Sequence, residues 1–224
     1  MSIGKALQEI LKPHKEEYEM GVHPLSNKTR RAVLRELTRK PCQTATAVAT
    51  QINANVQNVQ WHLKKLEEFD FVKSFKKSRI RYYPAELISA EDLDLFSLIA
   101  GKNGWLVVKS LLSKCRDIDF LSRHMGKSTA YRILAELKKD GYVEEIRSSR
   151  AIYCLSDKFH SKLEYYDKRG LEFRKIFLKK IELRGYKVEI VGTVNYETKI
   201  RIEGYEKFTV GIFISPLRTA LEVK

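Results

Sequence analysis

Cysteine is scarce in this chain: Cys42, Cys115 and Cys154 are far apart and odd in number. That usage points to reduced thiols in an intracellular protein and not to a disulfide framework. No Cys-x-x-Cys pair and no His-Glu-x-x-His motif occurs, and the five histidines are scattered, so no metal site is expected. No run approaches the ~20 consecutive apolar residues of a membrane span, and Met1–Leu11 lacks an apolar segment of signal-peptide length. Also missing are a P-loop, a Gly-rich dinucleotide fingerprint and a nucleophile elbow. Together these absences argue against zinc proteins, membrane proteins and the enzyme classes that leave such motifs. No cofactor is expected.

What is present is positive charge. The 224 residues carry a net +14 with an ordinary hydrophobic fraction of 43%. The excess is uneven: −1 over residues 1–22, +8 over 23–88, +1 over 89–157 and +6 over 158–224. A basic surface attracts polyanions by releasing their counterions. Nucleic acid is therefore the expected partner, and a merely basic soluble surface is the plain alternative.

One pattern occurs twice. Val48-Ala49 and Ile52 precede Asn55-Val56-Gln57-Asn58-Val59-Gln60-Trp61-His62-Leu63-Lys64-Lys65-Leu66, which runs on to Val72. Later, Phe120 to Gly126 precedes Lys127-Ser128-Thr129-Ala130-Tyr131-Arg132-Ile133-Leu134-Ala135-Glu136-Leu137, which runs on to Val143. Each reads as a short helix, a tight turn, a second helix and a two-stranded hairpin with a basic tip. That is the outline of a winged helix-turn-helix, which places one helix in a DNA groove.

Helical spacing predicts a first helix over Leu25–Arg39, capped by Ser26 or Asn27 and ended at Lys40-Pro41. Helices follow at Thr44–Ile52 and Ser89–Ala100, the latter capped by Ser89, and again from Trp105. A long basic helix is expected over 157–184, with Gly170 as a kink. Four period-two runs (186–191, 198–203, 208–214, 219–223) predict a small antiparallel meander with one covered face. The fold class is mainly α with β-wings (α+β): two tandem winged helix-turn-helix domains plus a small C-terminal α+β domain. The boundaries are 1–22 for an N-terminal helical segment, 23–88 and 89–157 for the two repeats, and 158–224 for the helix and meander. The meander could bind a ligand, cap the helix or pair two subunits, and pairing is preferred because symmetric operators reward two-fold proteins.

Val48 through Val72 resembles the core of ArsR-like winged-helix transcription regulators. Their helix ends in His-Leu-x-x-Leu-x-x-x-Gly-Leu-Val, which appears here as His62-Leu63-Lys64-Lys65-Leu66-Glu67-Glu68-Phe69-Asp70-Phe71-Val72. Asp70 stands where the family has Gly, and Asp tolerates the left-handed conformation needed there. The likeness extends over residues 25–156, with a tighter turn in the second repeat, and its tandem, Lys/Ile/Glu-rich style looks archaeal. Metal-sensing members carry a Cys-x-Cys pair; only Cys42 lies nearby, so metal sensing is not carried over.

The candidate base readers of the first repeat are Gln57, Asn58 and Gln60, since amide side chains pair with adenine in the major groove. Lys64 and Lys65 are phosphate contacts. An outward Trp61 should cover DNA or a neighbouring domain, and His62 is read as a packed core residue. In the second repeat Lys127, Ser128, Thr129, Tyr131 and Arg132 cluster at a helix start, with Arg132 the candidate guanine reader. The hairpin tips add Lys76, Lys77 and Arg79, then Arg147 and Arg150.

The resulting expectation is a non-enzymatic, sequence-specific regulator that binds double-stranded DNA as a homodimer in the cytoplasm, at the nucleoid. The alternatives are a tandem winged-helix assembly module of transcription, replication or chromosome-organising machinery, and a structured-RNA binder. Glu222-Val223-Lys224 resembles the Glu-x-Lys of restriction-endonuclease-like folds, but residues 186–224 contain no Asp to complete a metal site.

Overall fold

The structure, a computed structural model, describes residues 23–147 and 150–222. The expected N-terminal helical segment 1–22 and the tip residues 148–149 lie outside the described residues.

The first repeat begins with α1 (Lys28–Arg39), where Asn27 accepts from the Thr29 and Arg30 amides at 2.9 and 3.1 Å. Its apolar stripe, Val33, Leu34 and Leu37, is fully buried. Thr44 caps α2 (Ala45–Ile52) and Asn55 caps α3 (Val56–Glu68), with a left-handed Asn53 turning the chain between them. Each cap satisfies a helix-end N–H that would otherwise lack a partner. Helix α3 ends at Asp70, whose φ of 57° is the left-handed conformation expected of it. Its carboxylate is held at 2.8 Å by the Lys180 ammonium. The hairpin β1 (Val72–Lys76) and β2 (Ile80–Pro84) follows in antiparallel register, and a single bridge joins Tyr82 to Gln43, just before α2.

Residues 90–155 again place helices before an antiparallel hairpin, with an added 3-10 turn, helix and short strand that residues 28–84 do not have. A 3-10 turn (Ala90–Asp92) leads into α4 (Leu93–Ala100) and α5 (Lys102–Ser113). The expected single helix from Ser89 is therefore corrected. Its first turn is 3-10, and the Ser89 hydroxyl caps nothing but shares a hydrogen bond with the Tyr165 hydroxyl. Helix α5 also starts three residues before Trp105, because only Gly101 breaks the chain, bending it by 96°. Gly104 permits that bend: a Cβ there would lie 2.1 Å from the Leu98 carbonyl oxygen. Then come β3 (Arg116–Asp117), α6 (Ile118–Leu121), α7 (Lys127–Lys139), β4 (Val143–Arg147) and β5 (Ala151–Leu155), with strand order β3-β5-β4.

The cysteine expectation is overturned here. Cys115 and Cys154 form a disulfide, their Cα atoms 4.4 Å apart, because Arg116 pairs with Tyr153 across β3 and β5. A separation of 39 residues hid a contact that only strand pairing creates. Cys42 is the one free thiol among the described residues, and burial pushes its pKa up. The thiol argument for a reducing compartment loses its premise.

Helix α8 (Asp157–Glu182) runs unbroken through Gly170. That glycine is a point of close approach and not a kink: an added Cβ would sit 1.5 Å from the Ile214 carbonyl oxygen. Strands β6 (Lys187–Val194), β7 (Glu197–Glu203) and β8 (Lys207–Phe213) form a meander with a register shift near Val191. Within the expected fourth strand, 219–223, residues 219–221 belong instead to the helix α9 (Pro216–Leu221), and 223 lies outside the described residues. Pro216 suits a first helical position, and Leu217, Ala220 and Leu221 bury one face at helical spacing. The buried face of the sheet carries Ile200, Ile202, Val210 and Ile212. It is tied to α1: the Phe213 amide donates to Thr38 Oγ1 at 3.0 Å, and Arg35 grips Glu197 in a bidentate pair at 2.6 and 2.9 Å.

Junctions between these parts are polar and buried. Asp92, 1% exposed, accepts from the Tyr142 hydroxyl (2.8 Å), the Tyr166 hydroxyl (2.7 Å) and the Lys162 ammonium (2.7 Å). Burial and the Asp92 carboxylate push both tyrosines' pKa values up. One carboxylate thus joins the 3-10 turn, the residue that leads into β4, and α8.

Candidate nucleic-acid interface

Helix α3 turns Val59, His62, Leu63 and Leu66 inward and leaves Gln57, Asn58, Gln60, Trp61 and Lys64 exposed. The division follows from a 3.6-residue period with apolar positions at 59, 63 and 66. His62 is buried, and burial with nearby Arg30 lowers its pKa. Trp61 is 51% exposed. Its ring meets His62 edge-on at 4.9 Å and lies 5.9 Å from the Arg30 guanidinium. Both contacts belong to the first repeat, so neither comes from a neighbouring domain. Arg30 thereby joins this face although sequence reading missed it. No local spacing links α1 to α3; only their packing brings the two side chains together.

The cations of this face differ in their freedom. Lys64, Lys76 and Arg79 are exposed and make no ion pair among the described residues. Lys65 is part-buried and paired with Glu68 at 2.7 Å. Lys77, expected at the hairpin tip as a DNA contact, instead reaches Asp94 of α4 at 2.7 Å and ties the tip to the second repeat. No carboxylate belongs to the exposed set from Gln57 to Lys64.

The corresponding face of α7 has another character. Ser128, Tyr131, Arg132 and Ala135 are exposed, Thr129 is half-buried, and Ala130, Ile133, Leu134 and Leu137 point inward. Lys127 pairs with Asp119 at 2.6 Å and Arg132 with Glu136 at 3.1 Å. Glu145 takes both Lys138 and Arg147, the latter at 3.0 Å. These contacts hold the Asp119 and Glu145 carboxyls below their usual pKa and raise that of Lys127. Arg150 is exposed and also has an electrostatic partner.

On α8, the basic run splits in two. Lys168, Lys175 and Lys179 are exposed, whereas Lys180 is buried against Asp70 and Arg169 donates to the Leu87 carbonyl at 2.9 Å. Part of that run thus serves packing. Glu222 of the C-terminal Glu-x-Lys pairs with Lys109 at 3.1 Å, and residues 223–224 lie outside the described residues. Among the described residues, no group of three or more His, Cys, Asp or Glu side chains could hold a metal ion. No single described helix is long and apolar enough to cross a membrane.

Residues 25–74, which span α1 to the first strand of the hairpin, match a family model described as a helix-turn-helix domain. No curated protein matches the chain. This match, over residues 25–74, and the geometry of α1 to α3 support a DNA-binding helix-turn-helix domain in this part of the chain, with DNA as its partner.

Proposed function

We propose that this protein is a site-specific binder of double-stranded DNA that regulates transcription, built from two winged helix-turn-helix units in tandem. One observation carries the reading. The exposed face of α3 sets three amide side chains (Gln57, Asn58, Gln60) beside Trp61 and an unpaired Lys64, inside the segment matched as a helix-turn-helix. Amides read adenine edges, and a free lysine positions the helix on phosphate. Lys76 and Arg79 on the hairpin add unpaired charge for the flanking backbone, and the +8 of residues 23–88 supplies general attraction. The duplex meets the first repeat, and binding as a homodimer sets the spacing of half-sites. The cytoplasm is the matching location.

Selection from a randomised duplex pool at near-physiological salt tests this directly. The expected result is an enriched motif that repeats at a helical-turn spacing. Lys64→Ala and Lys76→Ala should weaken binding to all sequences alike and reduce the salt slope by about one each. Gln57→Ala or Asn58→Ala should relax preference at one position by ~1–3 kcal/mol. No enrichment, or uniform losses from both groups, would reject site-specific regulation.

A further inference from the structure

Helix α1 carries four arginines, and three of them are matched by oxygen atoms. Arg31 donates to the Leu25 carbonyl at 2.9 Å and to the Ser26 carbonyl, Arg35 pairs with Glu197 at 2.6 Å, and Arg39 pairs with Glu36 at 2.8 Å. Arg30 is the exception. It is half-buried, its Nε is buried with no hydrogen-bond partner, and it makes no ion pair among the described residues. Burial lowers its pKa, and no carboxylate counters that effect. A partly desolvated cation without a counter-ion is unfavourable, and a buried polar atom left unmatched needs a physical reason.

The surroundings of Arg30 place it on the flank of α3. Its guanidinium lies 5.9 Å from the centre of the Trp61 ring, within cation–π reach. Its charge also helps to lower the pKa of His62, so it stands near that ring as well. Trp61 belongs to the exposed face of α3. His62 comes one residue later, about 100° further round the helix, and is 4% exposed. Arg30 therefore sits at the border between the outward face and the packed side. His62 Nδ1 is itself buried without a hydrogen-bond partner, so it offers the guanidinium no settled contact. A helix with its side chains is about 10–12 Å across and the major groove is about 12 Å wide, so a helix seated there has a sugar–phosphate wall along each flank. The front of α3, with Gln57 and Gln60, would meet base edges, and the Arg30 border would meet a wall. A phosphate carries the several acceptor oxygens that a guanidinium fork takes up.

We infer that Arg30 binds a backbone phosphate of the duplex, reaching from α1 to the groove wall beside α3 while the amides of α3 read bases. The inference rests on the reading of α3 as the helix that enters DNA. It assigns a phosphodiester contact to a residue outside α2 and α3, and it gives the unmatched guanidinium its oxygen partners in the complex. Such a contact strengthens binding to every sequence and favours none.

Duplex binding by the full chain across a series of salt concentrations tests the contact. One neutralised phosphate adds about 0.9 to the slope of log affinity against log salt, which is about fivefold in affinity at about 0.15 M salt. Arg30→Gln should therefore lower the slope by about one and the affinity by about fivefold, equally for a selected site and for a mixed-sequence duplex. Arg30→Lys keeps the charge and should keep the slope. Single methylphosphonate linkages remove one backbone charge at a time. One linkage beside the major groove should weaken the wild type about fivefold and leave Arg30→Gln unaffected. Far-UV circular dichroism verifies that the variants are folded. Arg30→Met, which keeps an apolar stem against Trp61, replaces Arg30→Gln if that variant is not. An unchanged slope in the neutral variant overturns the inference. So does an equal loss in Arg30→Lys at constant slope, which marks a packing role, or a loss confined to the selected site, which marks base reading. A free phosphate ion is the other source of the same chemistry. With Trp105→Phe, Trp61 is the sole tryptophan, and its emission reports on inorganic phosphate added at constant ionic strength. No saturable response is expected; one that Arg30→Gln abolishes would overturn the assignment to a duplex. A wild type that binds no duplex fails the proposed function and this inference together. A wild type that binds, with Arg30→Gln identical to it, fails the inference alone.

Discussion

Replacing Asp92 by Ala should be among the most damaging single changes in this protein. The carboxylate is buried and accepts from three donors at 2.7–2.8 Å. Without it the Tyr142 and Tyr166 hydroxyls lose their acceptor in a dry site, and each orphaned group costs about 1–3 kcal/mol. Lys162 suffers less, because Glu91 lies 3.2 Å away and keeps its ammonium paired; that loss is about 1 kcal/mol or below. The sum, about 2–7 kcal/mol, is comparable with the whole stability of a folded domain, about 5–15 kcal/mol. Urea denaturation followed by circular dichroism measures the change as a shift in midpoint at constant slope. Tyr166→Phe supplies the second edge of a double-mutant cycle. Alone it should cost about 1 kcal/mol, and in its background Asp92→Ala should cost about 1–2 kcal/mol less, because one orphaned hydroxyl is already gone. An Asp92→Ala loss under about 1 kcal/mol, or strict additivity with Tyr166→Phe, would refute the view that this carboxylate satisfies buried donors.

Three further outcomes follow from buried features. His23 is held neutral, its pKa lowered to about 3 by burial and by Arg184 and Arg30, while Nδ1 accepts from the Leu25 amide at 3.0 Å. The unfolded chain takes up the proton first, so this contribution is intact above pH 6.5 and falls as pH drops from 6.5 toward 3, at about 1.4 kcal/mol per unit. His23→Gln should lessen the stability lost between pH 7 and pH 5 by about 2 kcal/mol in urea titrations, and an unchanged slope would contradict the assignment. Gly170→Ala should destabilise by about 3 kcal/mol or more, despite alanine's usual helical advantage of about 1 kcal/mol, because backbone would meet Cβ; a raised thermal midpoint would show that the approach to Ile214 is looser. Cys115→Ser removes a cross-link closing a 39-residue separation and should cost about 2–4 kcal/mol under oxidising conditions and nothing in excess reductant; equal loss in both buffers would mean that the cross-link is not what matters there.

Much of the fold was legible because local forces and the burial of one face act at short range. The caps Asn27, Thr44 and Asn55 and the stripe Val59, Leu63 and Leu66 follow from neighbours a few residues apart. Left-handed Asp70 was legible from its place in a motif. Short runs were less so. Five residues with alternating character, 219–223, suit a strand as well as a helix turn, and Pro216 with the underlying α1 decided for the helix. Gly170 looked like a flaw in α8 because the backbone that needs its missing side chain comes 44 residues later, at Ile214. For the candidate interface, residue types were readable and their availability was not: Lys64 and Lys77 are alike in sequence, yet only Lys77 has Asp94 within reach.

The sequence by itself determined the helix–turn–helix–hairpin order of residues 28–84, the uneven charge and the set of polar residues facing away from the core. Periodicity and capping need only near neighbours, so they are written locally. Only the tertiary structure decided which cysteines join and which cations stay unpaired. It also decided that Asp92 gathers three donors and that the C-terminal sheet rests on α1. Each of those depends on segments tens of residues apart being brought within a few ångströms, and no short-range rule of chain chemistry encodes that distance.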